Sequence, residues 1–212
     1  MERQLLVYMA YIAFFALLLG SVFLTPYLAF SSDVGFSYSA FSATCHQKIS
    51  RSLCLFSGGS GYWIGDCLPQ AGKFVNDPAD RTRIRVDNDG AVGYKMPVCS
   101  RDIGLYGAML IGGIAYPFAR RLNERKVYPA IYLVLAVVPL GLDGGVQFVS
   151  ELGLLPFVYE STNFMRVATG AIAGFAAAFY AIPILVNLFS AEKRAAENQN
   201  RKQETGNPEV KP

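Results

Sequence analysis

Hydrophobic and polar positions along this chain divide into four long apolar blocks, one large polar insert, two short loops and a polar end. The first block runs from about Leu5 to Phe30 without a charge, after the short start Met1–Glu2–Arg3–Gln4. It exceeds the ~7–15-residue core of a secretory signal peptide and no small-x-small cleavage site follows, so it reads as a retained membrane helix. The second block spans about Val98 to Ala119, the third about Tyr128 to Val149, and the fourth about Phe164 to Phe189. Each approaches the ~20 residues that cross a bilayer as α-helix. Pro139 and Gly141–Leu142–Asp143–Gly144–Gly145 interrupt the apolar pattern of the third block.

The insert, residues 31–96, is rich in Gly, Ser and Asp and nearly balanced in charge, which predicts a small subdomain outside the membrane. Within it Thr82–Arg83–Ile84–Arg85–Val86 alternates polar and apolar, Asp87–Asn88–Asp89–Gly90 supplies turn residues, and Val92–Gly93–Tyr94–Lys95 returns, the pattern of a β-hairpin. A calcium loop on the same aspartates is excluded, because Arg85 and Met96 stand where an EF-hand needs acids. The expected fold class is an all-α membrane protein: a helix in residues 1–30, an extracytoplasmic loop subdomain in 31–96, three helices in 97–190 and a disordered cytoplasmic tail in 191–212.

Charge orients these elements. The loop Arg120–Arg121–Leu122–Asn123–Glu124–Arg125–Lys126 carries four cations against one acid and is therefore placed in the cytoplasm, as are both termini of a four-helix chain in the cell membrane. The insert and the loop with Glu151 and Glu160 then face outward. A composition 52% hydrophobic and a mean hydropathy of +0.29 agree with membrane lipid as the surroundings. The net charge of +3 is small and its basic residues lie beside apolar blocks or among aspartates, which excludes a nucleic-acid groove.

Direction along each block gives depth. Cys99, Arg101, Asp102 and Tyr106 fall at the outer end of the second block, Asp143 and Gln147 at the outer end of the third, and Asn163, Arg166 and Thr169 at the outer start of the fourth. Spacings of three and four place each set on one helix face. A charge in hydrocarbon costs at least ~2.5–3.5 kcal/mol, so these groups are expected to face one another or a wet cavity. Asp143, Gln147, Asn163 and Arg166 are the candidate catalytic residues. The competing expectation is that the charges only pair and hold the bundle. Gly141-x-x-x-Gly145 and Gly170-x-x-x-Gly174 offer small faces on which the third and fourth blocks can pack.

All four cysteines, Cys45, Cys54, Cys67 and Cys99, lie on the side assigned outward. Cys45 and His46, with Cys99 and Asp102, form a ligand set suited to zinc. An even number of cysteines in an oxidising compartment also favours disulfides, and a Cys54–Cys67 pair would leave Cys45 and Cys99 for a metal or for each other.

Cys45–His46–Gln47 with Arg51–Ser52, the stretch from Pro97 to Gly107, Asp143–Gly144–Gly145–Val146–Gln147, and Ser161–Thr162–Asn163 through Arg166 to Thr169–Gly170 together resemble an uncharacterised family of small archaeal and bacterial multi-pass membrane proteins, domain of unknown function 2085. The resemblance implies a Cys-x-x-Cys in many relatives where this chain has Cys99-x-x-Asp102, and so a harder, more open site here. It implies no reaction. Three functions fit the residues: a metal-dependent enzyme acting on a lipid or isoprenoid-linked substrate, with Asp143 as base and Arg166 on an anionic group; an ion or proton transport component working as a homo-oligomer; and a thiol redox protein using Cys45 and Cys99. A structural or accessory subunit is the fourth.

Overall fold

A computed structural model describes residues 2–43, 45, 48–59, 61–68, 83–88, 90–122, 124 and 126–205, with side chains from 4 to 189. The chain is mostly helical. Among the described residues four helices are long and apolar enough to cross a membrane: α1 (Glu2–Leu28), α3 (Ser100–Ala119), α4 (Ala130–Glu151) and α5 (Asn163–Thr205). A short α2 (Gly35–Phe41) and a 3-10 turn (Ile49–Arg51) precede a small antiparallel sheet.

Four strands form that sheet, β1 (Leu53–Gly58), β2 (Gly61–Asp66), β3 (Arg85–Asn88) and β4 (Ala91–Lys95), in the order β2-β1-β4-β3. The expected hairpin is β3–β4, with Asn88 opposite Ala91 and Gly90 at φ +82°, a conformation that glycine adopts without strain. The sheet is larger than that one hairpin. Leu53–Gly58 and Gly61–Asp66 form a second, closed by a Gly-rich turn with Gly61 at φ +110°. Phe56 organises the centre: it stacks on Trp63 across one side and covers Gly93 on the other, where a Cβ would come within 2.5 Å of its ring. Cys54 and Cys67 form a disulfide that ties β1 to the residue after β2. Replacing both by Ala is expected to lower stability by ~3 kcal/mol, the loop-closure effect for a loop of this size, read as a shift in the thermal unfolding midpoint.

The core of the bundle is the pair α3 and α5. In α3 the buried residues Ser100, Gly104, Ala108, Gly112 and Tyr116 recur every four positions. In α5 Arg166, Gly170, Gly174, Ala178, Ile182 and Val186 do the same. The two stripes interlock at backbone distance. A Cβ on Gly104 would lie 2.2 Å from the carbonyl oxygen of Val167, one on Gly170 2.3 Å from that of Arg101, and one on Gly174 2.2 Å from that of Leu105. The partner of Gly170 and Gly174 is thus α3, not α4 as expected, and Gly141 and Gly145 meet nothing within 4 Å. Tyr11 and Phe15 of α1 close the cluster against Tyr116, Ala178 and Ile182, and the hydroxyls of Tyr8 and Tyr11 donate to the carbonyls of Gly113 and Met109.

Two helices run on where the apolar pattern is interrupted or ends. α4 is a continuous helix through Pro139 and Gly141–Gly145, because proline in an apolar helix costs one backbone bond that neighbouring groups can absorb. α5 continues as helix to Thr205, past the fourth apolar block, where Ala, Glu, Lys, Arg and Gln propagate helix.

Candidate metal centre and its charged frame

Cys99 is the extended residue at the head of α3, and Asp102 lies in the first helical turn, so a spacing of three places both on one side of the helix start. The Cys99 thiol donates to Asp102 Oδ2 at 3.1 Å. Cys45 reaches them from the segment after α2, where its N–H donates to the Phe41 carbonyl, and its sulfur accepts the Cys99 N–H at 3.2 Å. That bond satisfies a backbone donor that the start of α3 leaves without an intrahelical partner. One ligand atom each from Cys45, Cys99 and Asp102 lies within 4.8 Å of the others. Tetrahedral zinc with bonds of ~2.0–2.3 Å separates its ligands by about 3.3–3.8 Å, so a small contraction fits the ion.

Neither Cys45 nor Cys99 takes part in a disulfide. The hydrogen bond to Cys45, burial and the Asp102 carboxylate all push the Cys99 thiol up from its usual range, so without a cation it remains protonated. His46, the fourth expected ligand, lies outside the described residues.

One residue from Asp102, Arg101 begins a charged frame. Arg101 pairs with Asp143 of α4, and Asp143 Oδ1 accepts the Tyr159 hydroxyl at 2.8 Å. That hydrogen bond, with burial, raises Tyr159 above the ordinary phenol range. Glu160 is the second node. It pairs with Arg166, accepts Gln147 Nε2 at 2.8 Å and accepts Arg51 Nε at 3.1 Å, joining α5, α4 and the 3-10 turn through one carboxylate. Arg51 and Lys48 also pair with Glu151. Asn163 is the hinge between sheet and bundle: its amide donates to Asp66 Oδ1 at 2.9 Å and to the Ser52 carbonyl, and its carbonyl accepts the Ser100 hydroxyl at 2.7 Å. Arg166 is 2% exposed, and its Nη1, like Nε of Arg101, is buried without a hydrogen-bond partner among the described residues.

The expected site residues therefore fall into two neighbouring groups. Cys45, Cys99 and Asp102 form the first; Asp143, Gln147 and Arg166 meet around Arg101 and Glu160, with Asn163 one step toward the sheet. Asp143 and Gln147 are the two residues of α4 that are buried, so this helix is held largely through polar contacts. Sequence reading missed Glu160, Glu151, Arg51, Tyr159 and Asp66 as partners. A signal was present: Glu151 and Glu160 stand without a cation between them, beside buried helices whose arginines need acids.

Among known proteins, the uncharacterized protein MJ1492 of Methanocaldococcus jannaschii is 29% identical over 176 residues, covering 79% of this chain and 85% of the relative. No solved structure matches the chain. The motifs around Cys99, Asp143 and Arg166 fall within residues 91–180, and those residues match the family described as predicted membrane protein, DUF2085, a family of unknown function.

Proposed function

We propose that this membrane protein is a metal-dependent enzyme, with zinc held by Cys45, Cys99 and Asp102 and completed by His46, acting on a lipid or isoprenoid-linked substrate with an anionic head. The observation that carries the reading is the convergence of two thiols and a carboxylate within 4.8 Å at the start of a bilayer-length helix. Bound zinc would polarise the substrate or lower the pKa of a water. The Cys54–Cys67 disulfide supports an oxidising compartment for this end, hence the outward face, with both termini cytoplasmic.

Both oxygens of Asp143 are engaged, by Arg101 and by Tyr159, so its proposed role is to position Arg101 and α4 rather than to take a proton. The buried, partnerless N–H groups of Arg166 and Arg101 are the donors an anionic head would use. Gln147 and Asn163 hold Glu160 and the sheet in place. Ion or proton transport is less well supported, because no charged residue occurs in α3 from Ile103 to Ala119, in α4 before Asp143, or in α5 from Val167 to Phe189.

The test is release of phosphate or diphosphate from a panel of alkyl and prenyl phosphates by the full chain in proteoliposomes, with and without zinc. Zinc-dependent turnover should fall at least ~100-fold in Cys99→Ser and Asp102→Asn, comparable to losing a metal ligand or its close support. Absence of turnover by the zinc-loaded protein, or equal turnover by Cys99→Ser, would overturn the enzymatic reading.

A further inference from the structure

The two edges of the sheet differ in chemistry. At one edge β3 presents Arg85 and Asp87, exposed and paired with each other. At the other, β2 reads Gly61–Tyr62–Trp63–Ile64–Gly65 without a charge, and Tyr62, Trp63 and Ile64 are exposed. An edge strand in water is usually blunted by charge or proline, because its free backbone groups recruit other strands. From Gly61 to Gly65 β2 has neither.

The register fixes which side chains share a face. Tyr62 lies opposite Ser57 and Ile64 opposite Leu55, which in turn lies opposite Tyr94. Leu55 packs on the cluster of Val22, Met96 and Val98, so this face of the sheet is turned toward α1 and the start of α3. At the end of α1 the contact becomes aromatic. The Tyr62 ring lies 5.6 Å from that of Tyr27 and 5.5 Å from that of Phe30, and Phe30 lies 4.7 Å from Tyr94. Tyr27 is exposed, as are Phe23, Leu24 and Leu28 around it, on a helix of bilayer length. The apolar surface of α1 therefore continues through Tyr27 onto Tyr62, with Ile64 beside it on the same face of the strand. Trp63 points to the other face, where it stacks on Phe56.

Tyrosine collects where hydrocarbon gives way to headgroups, because its ring has an apolar body and a polar tip. We infer that the β2 edge of the sheet rests in the headgroup layer at the Leu28 end of α1, with Tyr62 and Ile64 against phospholipid and the β3 edge in water. Lipid is the occupant because the patch is uncharged and extends a helix surface that lipid covers. The placement does not depend on the metal reading.

Trp63 is the single tryptophan of the chain, so in a Trp63→Phe background a tryptophan placed elsewhere reports one position. The experiment uses the full chain in phosphatidylcholine nanodiscs, with bromine on the lipid either near the headgroup or near the chain end as one quencher and aqueous iodide as the other. With Trp63→Phe, both Tyr62→Trp and Ile64→Trp are expected to lose most of their emission to bromine near the headgroup, less to bromine near the chain end, and little to iodide. The native Trp63, on the opposite face, should respond to bromine less than either. Asp87→Trp at the other edge should be quenched by iodide and not by bromine. Each variant is first checked for a monodisperse species, and Ile64→Trp carries the test where Tyr62→Trp does not fold. Quenching of both positions by iodide alone would place the edge in water and overturn the inference. Protection of both from either quencher would show a protein cover, such as a second copy along β2, and overturn it equally. Bromine quenching of Asp87→Trp as strong as that of Ile64→Trp would also contradict the tilt.

Discussion

Gly174→Val is expected to prevent the bundle from forming. Its first side-chain atom would stand 2.2 Å from the Leu105 carbonyl oxygen, and that obstacle is helical backbone of α3, so no rotamer change relieves it. Separating α3 from α5 there also pulls apart Gly104 from Val167 and Gly170 from Arg101, contacts of the same kind on the same stripe. The cost should exceed the ~1–3 kcal/mol usual for overpacking a core. Size-exclusion profiles and thermal unfolding in detergent measure it, with loss of the monodisperse species as the expected result. Gly145→Ala, on a helix face with nothing within 4 Å, should leave both unchanged or slightly improved. Equal tolerance at the two positions would contradict the packing described.

Glu160→Ala should be the second most damaging change. The carboxylate is 5% exposed and accepts from Arg51, Gln147 and Arg166, so its removal leaves a buried Arg166 guanidinium without an anion and cuts the link between α4 and α5. Removing one partner of a buried pair typically costs about 3–5 kcal/mol. By contrast Asp87→Ala breaks an exposed pair with Arg85 and should shift stability by less than ~1 kcal/mol. Thermal midpoints of the two variants, measured side by side, decide whether the charged frame is structural in this sense.

Block length and charge asymmetry made the four apolar helices legible, because hydropathy and helix period are local properties of the chain. Depth arithmetic also brought Asp143, Gln147 and Arg166 to one level, where the structure joins them. What escaped was partnership. Gly170 and Gly174 advertise a close contact but not with whom, and the small residue at every fourth position of α3, from Ser100 through Gly104, Ala108 and Gly112, was the complementary signal. The β1–β2 hairpin was legible in Leu53–Gly58, a glycine-rich turn and Gly61–Asp66, yet it sits in an insert whose overall polarity masked two short apolar runs. Glu160 acquires its role through tertiary contact with Arg51, more than a hundred residues away, which no local pattern encodes.

The frame and the cluster have separate physical tasks. Arg101, Asp143, Glu160 and Arg166 fix the ends of α3, α4 and α5, and with them the start of α3 where Cys99 and Asp102 meet Cys45. On the proposed reading this meeting place holds a metal ion. Zinc content of the detergent-purified full chain, with alkylation of Cys45 and Cys99 before and after chelation, tests it directly. About one zinc per chain, with both thiols protected until the metal is stripped, is the predicted result. A metal-free protein whose two thiols alkylate at once, or in which Cys45 and Cys99 have joined as a second disulfide, would contradict it.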